Sequence, residues 1–191
     1  SDLEHPCQAL GDLLTIVERK GHVDGLRLVF VGDGNNVANS LLYAGARLGM
    51  DVTVACPKGY EPPKALLEDA RRMAKGTGAA LKVMNDPRAA VEGCDVVYTD
   101  VWASMGQEAE AAKRQRDFAG FQVDGALMKL AKRDAGLTEA RLVVYQQPGE
   151  YRHNIYSRLF GQPGIGNPLA NFDLMALVRS GTPQFMYLWM P

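Results

Sequence analysis

The apolar stretch Leu26-Arg27-Leu28-Val29-Phe30 runs directly into Val31-Gly32-Asp33-Gly34-Asn35-Asn36, which reads as a buried strand that breaks into a turn and then a helix. In an open α/β sheet, ligands bind at junctions of that kind. Glycines at 32 and 34 allow φ values that residues with a Cβ resist, and they let the backbone come close to a ligand. The amides of the following helical turn attract negative charge. Asn35 and Asn36 each add two donors and one acceptor, so the turn offers a small polar molecule side chains as well as backbone N–H groups.

Two glycines of the dinucleotide fingerprint G-x-G-x-x-G are present, but Val37 stands at the third position, where a branched side chain opposes close packing of helix on strand. A nucleotide-binding oxidoreductase domain is therefore the weaker reading. Around the turn the chain alternates: strand 26–31, helix 36–48, strand 51–55, helix 63–75, strand 80–84, short helix 87–92 and strand 95–99. That rhythm predicts an α/β fold with a doubly wound, Rossmann-like parallel sheet. It places Asn36, Cys56-Pro57-Lys58, Asn85-Asp86 and Asp100 around one crevice at the carboxyl edge.

An amphipathic helix is expected from Leu3 to Arg19, with apolar residues at 3, 10, 13, 14 and 17 and Gly21 as its stop. Beyond Ser104, 107–118 reads as a charged, solvated helix, 124–132 as another helix, and Arg141–Tyr145 as a fifth strand. Glycine and proline crowd the remainder, where only 171–179 has a helical pattern, so the expectation for 147–191 is an irregular, atypical tail.

With 21 Lys and Arg against 22 Asp and Glu, no global field draws the chain to nucleic acid or an anionic membrane, so its function must lie in a local site. No 18-residue apolar span or signal peptide is evident. Cys7, Cys56 and Cys94 are odd in number and lack C-x-x-C spacing, which argues against a disulfide framework and a thiolate metal site and fits a reducing cytoplasm.

Two further segments carry chemistry. His5-Pro6-Cys7-Gln8 puts an imidazole and an amide within one helical turn, and Asp100-Val101-Trp102-Ala103-Ser104-Met105-Gly106-Gln107 ends a strand in a carboxylate followed by a hydroxyl. Together with the V-G-D-G-N-N turn, Ala38-Asn39-Ser40, Pro57-Lys58-Gly59-Tyr60-Glu61-Pro62, Asn85-Asp86-Pro87 and Phe121-Gln122-Val123, they closely resemble the ornithine carbamoyltransferases of the aspartate/ornithine carbamoyltransferase family, over roughly residues 1–135. The resemblance implies that His5, Pro6, Cys7 and Gln8 serve carbamoyl phosphate, with His5 donating to the carbamoyl oxygen as charge develops there. It implies that Asn36 and the backbone N–H of Met105 hold the α-carboxylate of L-ornithine, and that Asp100 and Ser104 hold its α-ammonium. Opposite-sign recognition would fix the amino acid so that its far amine points at the carbonyl. The implied reaction yields citrulline and phosphate, in arginine metabolism, with no metal or organic cofactor and in a homo-oligomer, a trimer.

Two parts of the machinery implied by the resemblance do not occur in these 191 residues: an S-x-R-T-R loop that grips phosphate, and an H-C-L-P loop after the 124–132 helix. Residues 142–152 resemble the family's last strand and following loop faintly, with Arg152 as a possible phosphate contact. The expectation is a partial chain: 1–20 an interdomain helix carrying H-P-C-Q, 21–146 an ornithine-binding domain, and 147–191 the atypical tail. The alternative is a catalytically silent amino-acid-binding fragment of the same family.

Overall fold

A computed structural model describes residues 1–103 and 108–131 and the strand segments Leu142–Val144 and Phe185–Met186. Its elements are α1 (Pro6–Lys20), β1 (Arg27–Val31), α2 (Asn36–Leu48), β2 (Asp51–Ala55), α3 (Lys64–Ala74), β3 (Leu81–Met84), α4 (Pro87–Val91), β4 (Val96–Thr99), a 3-10 turn at Glu108–Glu110, α5 (Ala111–Asp117), α6 (Gly125–Met128), β5 (Leu142–Val144) and β6 (Phe185–Met186). The strands form one sheet in the order β3-β2-β1-β4-β5-β6, and every pairing is parallel. Crossovers from β1 run one way to β2 and β3, and the chain then returns across β1 to β4. The point where the order reverses, between the carboxyl ends of β1 and β4, is the switch point at which such sheets bind ligands.

The period of two along β1 builds both faces at once. Leu28 and Phe30 enter one core with Leu13 and Ile16 of α1, Leu41 and Leu42 of α2, and the facing residues of β2. Val29 and Val31 enter the other with Val91, Val97, Phe118 and Leu127. Both faces of the sheet are thus covered, as the near-continuous apolar strands require.

The helix expected from Leu3 starts three residues later and turns a different side inward. Pro6 sets the start, since its fixed φ and missing N–H suit a first helical position. The buried residues are Ala9, Asp12, Leu13, Thr15 and Ile16, whereas Leu3, Leu10, Leu14 and Val17 are exposed. Of the five apolar positions that suggested the helix, only Leu13 is buried, because α1 carries apolar residues on two sides and α2 covers one of them. Gly21 ends the helix in the left-handed conformation at φ 82°, as anticipated.

The expected solvated helix over 107–118 also needs correction. Its helical part, α5, buries Arg114, and Phe118 just beyond it is fully buried. The helix expected over 124–132 is confined to Gly125–Met128, capped by the Asp124 carboxylate on the N–H groups of Ala126 and Leu127. The Leu130 carbonyl accepts from the N–H of Gly93 at 2.9 Å, which turns the chain off the helical path. Within 147–191 the described residues are Phe185–Met186, which join the sheet edge beside β5; the rest of that tail, the helical pattern at 171–179 and Arg152 lie outside the described residues.

Candidate functional site

At the switch point, Asn35 does two jobs with the two ends of one amide. Its Oδ1 caps α2 by accepting from the N–H groups of Val37 at 3.0 Å and Ala38 at 3.1 Å. That fixes the amide, and its Nδ2 donates to Asp100 Oδ2 at 3.0 Å. The other oxygen of Asp100 accepts from the Val101 N–H at 2.7 Å. Thr99, one residue earlier, donates its hydroxyl to the Val31 carbonyl at 2.7 Å, locking the end of β4 to the end of β1. Burial pushes the Asp100 pKa up, while the bonds from Val101 and Asn35 and the nearby charge of His5 oppose that shift. A half-buried carboxylate whose hydrogen-bond donors are neutral suits a cationic ligand.

The segment before α1 lies across the first turns of α2. Asn36 donates to the Ser1 carbonyl at 2.8 Å, Asn39 to the Leu3 carbonyl at 2.9 Å, and the Ser40 hydroxyl accepts from the His5 N–H at 2.7 Å. The Ala38-Asn39-Ser40 motif therefore straps His5 to the crevice. His5 stands at the N-cap of α1 but its side chain makes no capping bond there, so the ring is not spent on the helix end. Pro6 and Cys7 are exposed, and Gln8 is half-buried with its Nε2 donating to Asp12 Oδ1 at 2.9 Å. One N–H of Asn36 is thus used within the chain, and its amide retains a second donor and its acceptor.

Elsewhere the loops at this edge bind one another. The Gly34 N–H donates to the Tyr60 carbonyl at 2.8 Å, and Asn85 Nδ2 donates to the Cys56 carbonyl at 2.9 Å. A Cβ on Gly34 would lie 2.4 Å from the Pro62 nitrogen. The close approach that this glycine permits is therefore to the 57–62 loop and not to a ligand. Asp86 caps α4 through the N–H groups of Arg88 and Ala89. The Cys56 and Cys94 thiols are pushed by burial up to about 12 and about 11, which makes both poor nucleophiles.

The spacing argument missed two buried charges beside this edge. Arg114 forms an ion pair with Asp33 and donates to the Trp102 carbonyl at 2.9 Å, tying the glycine turn to the loop after Asp100. Asp12 is fully buried under Gln8. A carboxylate at position 33, in the turn between the apolar strand β1 and α2, was the available signal for a cation partner; Asp12 had no such signal. Ser104 and Met105 lie outside the described residues. Among the described residues no three His, Cys, Asp or Glu side chains gather as a metal site would, and no helix is long and apolar enough to cross a membrane.

The structure is a doubly wound α/β domain whose switch point, where such sheets bind ligands, carries a half-buried carboxylate with an imidazole strapped beside it. Residues 24–137 match the aspartate/ornithine carbamoyltransferase family's Asp/Orn binding domain, and the chain belongs to that family. It is 60% identical over 135 residues to an ornithine carbamoyltransferase of Acidothermus cellulolyticus, covering 71% of this chain and 43% of that protein. To the anabolic ornithine carbamoyltransferase of Pyrococcus furiosus it is 54% identical over 134 residues, covering 70% of this chain and 42% of that protein. A solved structure of ornithine carbamoyltransferase from Pyrococcus furiosus superposes with a TM-score of 0.69 at 49% identity, over 78% of this chain and 46% of that one. The corresponding Thermus thermophilus structure gives 0.61 at 43% identity, over 80% of this chain and 45% of that one. The chain thus spans under half the length of these relatives. The dinucleotide reading gains nothing from these matches, and Val37 is buried in the core between helix and sheet.

Proposed function

We propose that these residues form the amino-acid side of an ornithine carbamoyltransferase site, which transfers the carbamoyl group of carbamoyl phosphate to L-ornithine. The observation that carries this reading is the Asn35–Asp100 hydrogen bond at the switch point, which orients a half-buried carboxylate suited to an ammonium group. Asp100 takes the α-ammonium with Ser104, while Asn36 and the Met105 N–H take the α-carboxylate. The neutral δ-amine then attacks the carbamoyl carbon, a tetrahedral intermediate forms with its oxygen facing His5, and phosphate leaves. Gln8, with Pro6 and Cys7 beside it, contributes to the carbamoyl subsite.

In this reading residues 1–20 are an interdomain helix, 21–146 the ornithine-binding domain and 147–191 an atypical tail. The exposed row Leu10, Leu14 and Val17 on the outer side of α1 supports the first assignment, since a contiguous apolar strip is suited to being covered. The enzyme acts in arginine metabolism in the cytoplasm, as a homo-oligomer, a trimer. A dianionic phosphate needs more positive charge than His5 and Gln8 provide, and these 191 residues contain no S-x-R-T-R sequence. As isolated residues they act as a catalytically silent amino-acid-binding unit.

Calorimetric titration with norvaline, an unreactive ornithine analogue, tests the reading. Weak binding is expected, and Asp100→Ala abolishes it, because truncating one side of a hydrogen-bonded charge pair costs ~2–5 kcal/mol. Affinity falls as pH is lowered, since protonating Asp100, whose pKa burial has already raised, removes the negative partner. Binding of NADH without binding of norvaline overturns the reading. Citrulline formation by the 191 residues alone at about 1 s⁻¹ or more, a rate typical of enzymes, would instead overturn the catalytically silent state and the choice of residues that carry the reaction.

A further inference from the structure

Asp12 lies one helical turn after Gln8 on the same side of α1, is fully buried, and accepts from Gln8 Nε2 at 2.9 Å. An ionised carboxylate is an acceptor only, so it can bind the nitrogen end of a glutamine amide and never the oxygen end. Fixing the nitrogen inward leaves the carbonyl oxygen as the end that Gln8 offers outward, half-buried on the same helical turn as His5. A carbamoyl group presents one oxygen and an NH2. An imidazole donor matches the oxygen, and only an acceptor matches the NH2.

We infer that Asp12 is a positioning residue: it holds the Gln8 amide nitrogen inward so that Gln8 Oε1 faces out as the acceptor for the NH2 of the carbamoyl group. This rests on the carbamoyltransferase reading for the ligand, but the orienting contact itself does not. The orientation is conditional on ionisation. Burial pushes the Asp12 pKa up to about 6, while Gln8 and Tyr98 draw it down and the charge of Asp100 adds to the rise. Below that value the protonated acid can donate to Gln8 Oε1, and the preference for one amide orientation is lost. The titratable groups facing Asp12 are Tyr98 on β4 and Asp100 beyond it, with His5 acting on Asp100 in turn. From α2 the strap to this segment is made by Asn36, Asn39 and Ser40, which are neutral.

The test is 15N NMR of the Gln8 side-chain NH2 in the full chain from pH 4.5 to 8, with and without carbamoyl phosphate. The expected result is a Gln8 resonance pair that titrates with a midpoint near 6 and loses that dependence in Asp12→Asn, whose amide accepts either end of Gln8. At pH 7.5 a high concentration of carbamoyl phosphate, needed because these residues supply little positive charge for its phosphate, should perturb the Gln8 amide, with affinity about tenfold weaker in Asp12→Asn. If Gln8 titrates near pH 6 but carbamoyl phosphate perturbs no resonance even at the high concentration that the missing phosphate grip demands, the orienting role stands and the carbamoyltransferase reading of this subsite falls. A wild-type Gln8 resonance indifferent to pH, or equal carbamoyl phosphate affinity in both proteins, overturns the orienting role; the first result needs no variant to fold.

Discussion

Asp33 and Asp12 are carboxylates withdrawn from water at the two sides of the crevice, and they are treated in opposite ways. Asp33 is paired with Arg114, whose guanidinium also reaches the Trp102 carbonyl and Glu110 and lies 5.1 Å over the Tyr60 ring. Asp12 accepts from the neutral Gln8 through Oδ1, its Oδ2 has no hydrogen-bond partner among the described residues, and the neutral Tyr98 lies near it. Burial raises both pKa values, but at Asp33 the Arg114 hydrogen bond and charge push back. A compensated charge serves to fasten two loops together. An uncompensated one costs stability at neutral pH, and such a cost is tolerated where the charge has something to do.

The largest effect should come from removing the compensation at Asp33. Arg114→Met keeps much of the side-chain volume but leaves Asp33 without its cation and the Trp102 carbonyl without its donor, and breaking a buried pair in this way costs about 3–5 kcal/mol. Urea denaturation at pH 7.5 measures it. The double variant Arg114→Met with Asp33→Asn should recover a good part of that loss, because the stranded charge is gone. A loss below about 1 kcal/mol for the single variant would place Arg114 with ordinary surface ion pairs and erase the contrast with Asp12.

These two carboxylates also mark where the sequence was and was not legible. The β1–turn–α2 junction announced itself because an apolar run, two glycines and a pair of asparagines are local signals, and the observed α2 and β2 span the expected 36–48 and 51–55. Asp100 and His5 could be singled out because each ends or begins an element at the carboxyl edge. Arg114 could not, since it sits among alternating charges that resemble a solvated face, and its partner lies 81 positions away. Asp12 was hidden for a related reason: the leucines of α1 suggested one buried side, while packing on α2 chose the side bearing Ala9, Asp12 and Ile16. Local pattern locates a helix, but which of its two apolar sides is buried is decided by the neighbour.

Next in size is a change of opposite sign at Asp12. Its folded pKa of about 6 exceeds the ordinary 3.8, so between these values the folded protein keeps a proton that the unfolded chain has lost. Stability therefore falls as pH rises from about 4 to about 6 and is lowest above that, with a cost of about 3 kcal/mol when ionisation is complete. Asp12→Asn removes the cost, so it should stabilise the fold by up to ~3 kcal/mol at pH 8 and by much less at pH 5. Thermal unfolding at the two pH values checks this. Destabilisation at pH 8 would mean that the Asp12 charge is compensated after all, and the comparison with Asp33 would collapse.

The smallest effect sharpens the comparison by weakening one of Asp12's neutral partners. Tyr98 is buried on β4, its ring stacked on Phe30 with centroids 5.3 Å apart, and its hydroxyl favours the ionised form of Asp12. Tyr98→Phe keeps the ring and the stacking but removes that hydroxyl, so the Asp12 midpoint seen by NMR should move above about 6. The pull of a nearby hydroxyl dipole on a charged carboxylate is stronger than on a neutral acid. The variant should therefore lose about 1 kcal/mol at pH 8, where Asp12 is ionised, and less at pH 5, where it is protonated. Equal losses at both pH values, with an unmoved midpoint, would show that Tyr98 supports Asp12 only by packing, and that Gln8 alone holds the charge whose orientation it reports.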